Sequence, residues 1–382
     1  MKICMASSQD ITDPRSWSGT PYSLYCALQA YPQNEITTVN LAAYRTPFSE
    51  RVNMLQHLDL TASLHARKPV SRLGAASLNP LHSSILRRIV RHSDADVLLE
   101  FGGFMPSPGF PPYYIYSDST HDLSLDFYAQ QGHLPFGRRE SDLDDLRRAA
   151  EHVRPIYQKA QGVLCMSQWM ADSLIHTTGV PAERVHVVYA GSNWHGQPKP
   201  DRKTARTLPA SGQIQLLLTG VSYLGKGVDL AVAATELLNR ESDTQYVLHV
   251  CGLREDFPHP DCVVNHGFVD KPTLSKLLTE CDLFVLPSRF DCFGIAFTEA
   301  MAYGLPCIGR NICAMPEIID AGQNGELVTG DNPAELASLI RKICGNAERY
   351  RTYSENALKK SERFTWENVA ASIMQCIEKD RV

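Results

Sequence analysis

No apolar run in these 382 residues approaches the roughly 18 to 20 needed to cross a bilayer as a helix. The opening MKICMASSQD turns polar too soon to form a signal-peptide core. Cysteine is not scarce, but none of the eleven falls in a Cys-x-x-Cys pair, and their scatter and odd number argue against a zinc site or a disulfide framework. A reducing cytoplasmic setting is therefore the expected localisation. An excess of charge is also missing: 37 Lys and Arg against 42 Asp and Glu leave −5, which predicts no global attraction to nucleic acid. With 24 Gly and 23 Pro, the chain is neither collagenous nor of low complexity. Two phosphate-binding signatures are absent as well. Without Gly-x-Gly-x-x-Gly after the first strand, a dinucleotide dehydrogenase is disfavoured, and without Gly-x-x-x-x-Gly-Lys-Ser/Thr, so is a P-loop NTPase.

What is present is a doubled α/β pattern. Single hydrophobic cores stop growing near about 250 to 300 residues, so a chain of this length predicts two domains. Strand-length apolar runs occur at KICMA (2–6), VLLEF (97–101), YYIY (113–116), GVLCMS (162–167) and VHVVY (185–189), and helical patterns separate several of them. A second series runs through IQLLLT (214–219), YVLHVC (246–251), CVVNHG (262–267), DLFVLP (282–287) and PCIG (306–309). Such alternation predicts parallel sheets. Between the series, HGQPKPDRKTARTLPASG (195–212) has three prolines and no hydrophobic period, as a linker would. The predicted domains are 1–204, joined by the C-terminal helix 366–382, and 205–365. Thr365 is the expected N-cap of that helix.

Ligands of open parallel sheets sit beyond the carboxyl ends of the strands, so the loops there carry the functional candidates. After 282–287, Gly294 opens a predicted helix and Gly304 closes it. The amides of Phe293, Gly294, Ile295 and Ala296 would then form an anion-binding helix start, with Glu299 one turn further in. A capped helix with a surface Glu is the equal alternative. In TGVSYLGKGVDLAV, Lys226 stands among glycines as a candidate phosphate counter-ion, or as a solvated turn residue. In SSQDITDPRSWSGTPYSLY, Gly19 precedes Thr20, the expected N-cap, and Pro21 at the first helical position. In YSDSTHDLSLD, Asp118, Thr120, His121 and Asp122 gather polar groups suited to sugar hydroxyls, or form a structural turn. Asp94-Ala95-Asp96 and Asp142-Leu143-Asp144 read as metal-binding Asp-x-Asp pairs. The first precedes its strand, however, and the second starts a helix, where acidic residues suit the dipole, so no metal is expected.

These residues resemble family 4 of the retaining glycosyltransferases, two-domain enzymes of GT-B fold. The resemblance is most specific in the Glu-x7-Glu region, FVLPSRFDCFGIAFTEAMAYGLPCIG, and is supported by GKGVDLAV, GFVDKPTLSKLLTECD and FTWENVA. It implies two Rossmann-like domains with sheets facing across a cleft and a last helix that crosses back to the N-domain. The implied activity is metal-independent transfer of a hexose or N-acetylhexosamine from a nucleotide-diphosphate sugar, a UDP-sugar by expectation, to a hydroxyl of a glycan, lipid-linked or small-molecule acceptor. By the same resemblance, Glu299 holds the donor ribose, the amides after Phe293 meet diphosphate or sugar, Lys226 neutralises phosphate and Val269 frames the base. Gly19 borders the donor phosphates, His121 and Asp291 serve the transferred sugar, and Asp118 and Thr120 lie on the acceptor side. The sequence departs from the family at three points: Asp291 replaces Glu, Val221 replaces the basic residue expected before the Lys, and Cys313-Ala314 replaces Gly-Gly before Pro316-Glu317. A nucleotide-sugar epimerase of the same fold and a catalytically weak nucleotide-sugar-binding module are the alternative readings.

Residues 60–93 contain Arg67, Lys68, Arg72, Arg87, Arg88 and Arg91 and no acidic residue. Within SSILRRIVRH, the apolar and basic positions fall on different helical faces. A core-covering helix with a solvated basic rim and a peripheral contact with anionic membrane both fit this pattern.

Overall fold

A computed structural model describes residues 1–41, 88–90, 92–102, 110–193, 204–209 and 212–381. The chain divides into two compact units, Met1–Tyr189 with Val369–Val382, and Ala190–Asn368. The first contains six parallel strands: β1 (Lys2–Ser7), β2 (Glu35–Asn40), β3 (Val97–Phe101), β4 (Tyr113–Ser117), β5 (Gly162–Cys165) and β6 (Val185–Val187), in the order β2-β1-β3-β4-β5-β6. The second contains β7 (Gln213–Thr219), β8 (Gln245–Cys251), β9 (Val263–Gly267), β10 (Leu283–Leu286), β11 (Cys307–Arg310) and β12 (Gly325–Val328), ordered β12-β11-β10-β7-β8-β9 and again parallel. Each is a Rossmann-like sheet. The order reverses beside β1 in one and beside β7 in the other, and each reversal opens a crevice at the carboxyl ends of adjacent strands.

Among the strands read as apolar runs, β3, β4 and β10 are buried on both faces, with every residue buried. Two strands, β2 and β12, were not read from sequence. Both lie at sheet edges: β2 (EITTVN) alternates with polar residues exposed or half-buried, whereas β12 (GELV) is largely buried with Glu326 in its middle. In the first unit, helices α1 (Thr20–Gln29), α2 (His121–Gln131), α3 (Leu143–Lys159) and α4 (Gln168–Ser173) accompany the sheet. Leu123, Ile156, Tyr157 and Met170 from these helices join Cys4, Leu98, Ile115 and Val163 from the strands in one core. In the second, α5 (Val228–Glu241) packs on β8 and on α9 (Pro333–Cys344), and α7 (Ile295–Ala302) packs on β11 and on α10 (Ala347–Ser361). Also present are α6 (Lys271–Glu280) and α8 (Met315–Ile318).

The last helix, α11 (Trp366–Lys379), starts in the second unit and continues in the first from Val369 onward. Thr365 accepts the Asn368 amide at 3.2 Å, as expected of a cap. At the far end, the Tyr114 hydroxyl donates to Asp380 Oδ2 at 2.8 Å and ties the chain terminus to β4. Two expectations need correction. Gly19, with φ 84°, is the N-cap of α1, and Thr20 is already helical, because a left-handed entry favours glycine over threonine. Part of the expected linker is also core: Arg206 is only 7% exposed, with Nε donating to the Tyr303 carbonyl at 2.8 Å and Nη1 and Nη2 to those of Cys281 and Leu278. These carbonyls belong to the C-terminal ends of α6 and α7, so one guanidinium satisfies groups that both helices leave open. By contacts the first unit ends at Tyr189, whereas composition places the division at 204/205. The earlier point follows from Ser192 and Asn193, which bond to the Phe364 carbonyl and the Trp366 indole.

Candidate functional site

In the second unit, the loops after β7 and β10 flank the point where strand order reverses. Lys226 ends the first of these loops. Its aliphatic stem lies across Gly220 so closely that a β-carbon there would come within 2.5 Å of Lys226 Cγ. Gly227, with φ 68°, caps α5, and a β-carbon on it would meet the Pro287 carbonyl at 2.5 Å. Gly220 lets the first loop fold back on Lys226, and Gly227 lets it pack against the loop that follows β10. Beneath them, Arg289 grips Asp229 through two bonds of 2.8 and 2.9 Å and reaches Asp331, which also pairs with Arg310. This network fixes the loop that carries Asp291.

Lys226 Nζ donates to Asp291 Oδ2 at 2.6 Å, and both side chains are about a fifth exposed, at 24% and 18%. Gly294, with φ 81°, caps α7, so the Ile295 and Ala296 amides stand in its first turn, while Phe293 is buried against Phe364. Glu299 lies on the same helix and is 8% exposed. Lys271 Nζ donates to Glu299 Oε1 at 3.1 Å and to the Asn193 carbonyl at 3.2 Å. Burial pushes the Glu299 carboxyl above the ordinary glutamate range, against the opposing pull of Lys271 and the Asn193 amide. Val269 is half-buried, two residues before α6. The structure thus gathers Lys226 with Asp291, and Glu299 with Lys271, at the carboxyl side of one sheet.

In the first unit, a cavity of about 390 Å3 opens at the reversal beside β1. Ser7, Gln9, Trp17, Asp118, Thr120 and His121 line it, with Arg138 and Phe136 also on its wall. Thr120 caps α2 by accepting the Leu123 amide at 2.9 Å, which sets His121 at the first helical position. Burial, followed by the Arg138 charge, holds His121 below its ordinary pKa, with Asp122 opposing. Asp122 is itself buried, between Arg154 (2.7 Å) and the Thr178 hydroxyl (2.8 Å), and anchors the start of α2 to its neighbours. Gly19 stands behind Trp17 and Ser18, whose φ values of 42° and 56° are also left-handed. Four of the predicted residues, Asp118, Thr120, His121 and Gly19, therefore lie at or beside this crevice.

Lys271, Arg138 and the Arg289–Arg310 network were not read as site residues. Lys271 left one signal: it opens a helix, where the dipole disfavours a cation. The Asp-x-Asp carboxylates have structural partners, Lys2 for Asp94 and Asp96, and Arg147 for Asp144. Among the described residues, no group of three or more His, Cys, Asp or Glu is placed to hold a metal ion, and no helix is long and apolar enough to cross a membrane. Of the basic segment, Arg67, Lys68, Arg72, Arg87 and Arg91 lie outside the described residues, and Arg88 is an exposed helical residue.

Residues 201–360 match the family model for glycosyl transferases group 1. An uncharacterized glycosyltransferase, MJ1607, from Methanocaldococcus jannaschii is 27% identical over 230 residues, covering 56% of this chain and 58% of that protein. A D-inositol 3-phosphate glycosyltransferase from Xylanimonas cellulosilytica is 27% identical over 53% of each chain. The matches span about half the length of these curated relatives. Solved structures agree over nearly the full length. Sucrose-phosphate synthase from Thermosynechococcus elongatus superposes with a TM-score of 0.70 at 16% identity, covering 99% of both chains. WaaG, a glycosyltransferase involved in lipopolysaccharide biosynthesis, gives 0.66 at 16% identity over 98% of both. Anabaena HepE in complex with UDP and glucose gives 0.64 at 16% identity over 99% of this chain and 100% of that one. The architecture is GT-B.

Proposed function

We propose, from a GT-B fold whose second unit matches group 1 glycosyl transferases, that this chain is a retaining glycosyltransferase. It moves a hexose or N-acetylhexosamine from a nucleotide-diphosphate sugar to a hydroxyl acceptor. The observation that carries the reading is the pair of lysine-held carboxylates, Asp291 and Glu299, on either side of the α7 N-terminus. Glu299 accepts ribose hydroxyls, Asp291 accepts hydroxyls of the transferred sugar, and Lys226 with the Ile295 and Ala296 amides carries the diphosphate. The C–O bond to phosphate breaks with its electron pair leaving on the nucleotide. The acceptor oxygen bonds to the anomeric carbon and its proton passes to the departing phosphate. The protein contributes position and charge stabilisation. UDP is the inferred nucleotide, supported by the fold shared with HepE solved with UDP-glucose.

Lys226 and the helix amides supply positive potential at the diphosphate, so the reaction is proposed to need no metal. A thermal-shift panel of nucleotide sugars tests donor use, because a ligand of the native state raises the melting temperature by mass action. The expected result is a shift with a UDP-sugar, followed by transfer that persists in excess EDTA. Loss of activity with EDTA and its return with manganese or magnesium would contradict the charge assignment. A weak binding module is favoured by one observation: the Asp291 side chain is one methylene shorter than the family Glu and already engages Lys226. That reading predicts a thermal shift with neither transfer nor hydrolysis.

A further inference from the structure

Glu299 is a buried carboxylate on α7, and among the described residues the charged side chain in contact with it is Lys271, from the first turn of α6. The nearby carboxylate Asp291 is engaged by Lys226, and the other group reaching Glu299 is the neutral backbone of Asn193. Lys271 is not serving its own helix, since a cation at a helix start opposes the dipole. It bridges two groups that are distant in sequence, Glu299 and the Asn193 carbonyl, at 3.1 and 3.2 Å. The indole of Trp366 donates to the Asn193 side chain at 2.8 Å, which holds the bridged segment in place.

We propose that Lys271 is a positioning residue that keeps Glu299 ionised and aimed for the donor ribose. The proposal rests on the reading of Glu299 as the ribose acceptor. A carboxylate accepts from two vicinal hydroxyls, whereas a carboxylic acid spends one oxygen as a donor and accepts more weakly. Burial alone pushes the Glu299 proton affinity up, and the adjacent ammonium opposes that push. Removing the ammonium therefore raises the pH below which the ribose contact is lost. A purely structural lysine would lower affinity equally at every pH.

The test is titration calorimetry with UDP-glucose, and GDP-mannose in parallel, from pH 5.5 to 8.5, a range over which the donor diphosphate does not change charge. In wild type, affinity falls at the acid end. Lys271→Met should move that fall to higher pH, costing roughly tenfold at the acid end of the range and less toward its alkaline end. Lys271→Arg should restore the wild-type profile, and Glu299→Gln should bind weakly without this pH dependence. Lys271→Gln provides a second variant if the methionine substitution unfolds, and it should behave as Lys271→Met does. Unchanged profiles in Lys271→Met and Lys271→Gln, with Glu299→Gln still weakened, overturn the role of Lys271 alone. If Glu299→Gln binds as wild type, the ribose assignment fails as well.

Discussion

Lys226 lies 2.6 Å from Asp291, so a donor diphosphate competes with a carboxylate already in place for the same ammonium. Loss of one charge-assisted bond costs about 1.5 to 3 kcal/mol, or roughly ten- to a hundred-fold in affinity. Lys226→Ala and Glu299→Ala should each weaken donor binding by that factor while the fold persists. Unchanged calorimetric affinity in both variants would remove them from the donor site. His121 gives a signed prediction. Its folded pKa lies below the ordinary 6.5, so acidification through that window protonates the unfolded chain before the folded one. Stability therefore falls as pH drops from the ordinary value toward the folded value. An NMR titration placing the His121 midpoint above 6.5 would reverse this statement. Glu299 could be picked out in sequence because it stands one turn inside a glycine-opened helix, and Asp291 through the resemblance to the Glu-x7-Glu region. Their lysine partners were not equally visible. Lys271 is 28 residues from Glu299 in sequence, and only folding brings the two together.

At the scale of elements, the central strands were legible because burial on both faces demands unbroken apolar runs, as in VLLEF and YYIYS. The edge strand β2 carries no such run because its residues are mostly exposed or half-buried, and in β12 the buried Glu326, met by Lys342 and Tyr353, interrupts the apolar pattern. The linker reading failed locally at Arg206, since a polar, proline-flanked segment gives no sign that one of its charges caps two helices from inside the core. Arg206→Met should therefore destabilise the fold by about 3 kcal/mol, because three carbonyls lose a charged donor and the side chain is nearly inaccessible to water. Chemical denaturation of the variant measures this cost. A change below about 0.5 kcal/mol would mean that water replaces the guanidinium, as at an ordinary surface position. Gly294 shows local constraint and function coinciding: its φ of 81° starts α7, and a β-carbon there would press on Met315 and Phe297, 2.8 and 2.9 Å away.

For the whole molecule, two parallel sheets each reverse strand order beside their first strand, and the residues singled out for chemistry gather at the carboxyl ends next to those reversals. The first unit offers a hydroxyl-rich cavity with a histidine, and the second offers lysine-held carboxylates at a helix start. A fold of this kind hosts many chemistries, so the central claim rests on what happens to the sugar. The most direct measurement is a proton NMR time course with a UDP-sugar and a panel of hydroxyl acceptors, read at the anomeric resonance. Glycosyl transfer with retention predicts release of UDP together with a new glycoside of the donor's own anomeric configuration, both suppressed in Glu299→Ala. An inverted glycoside, or an epimerised sugar still attached to UDP, would contradict it.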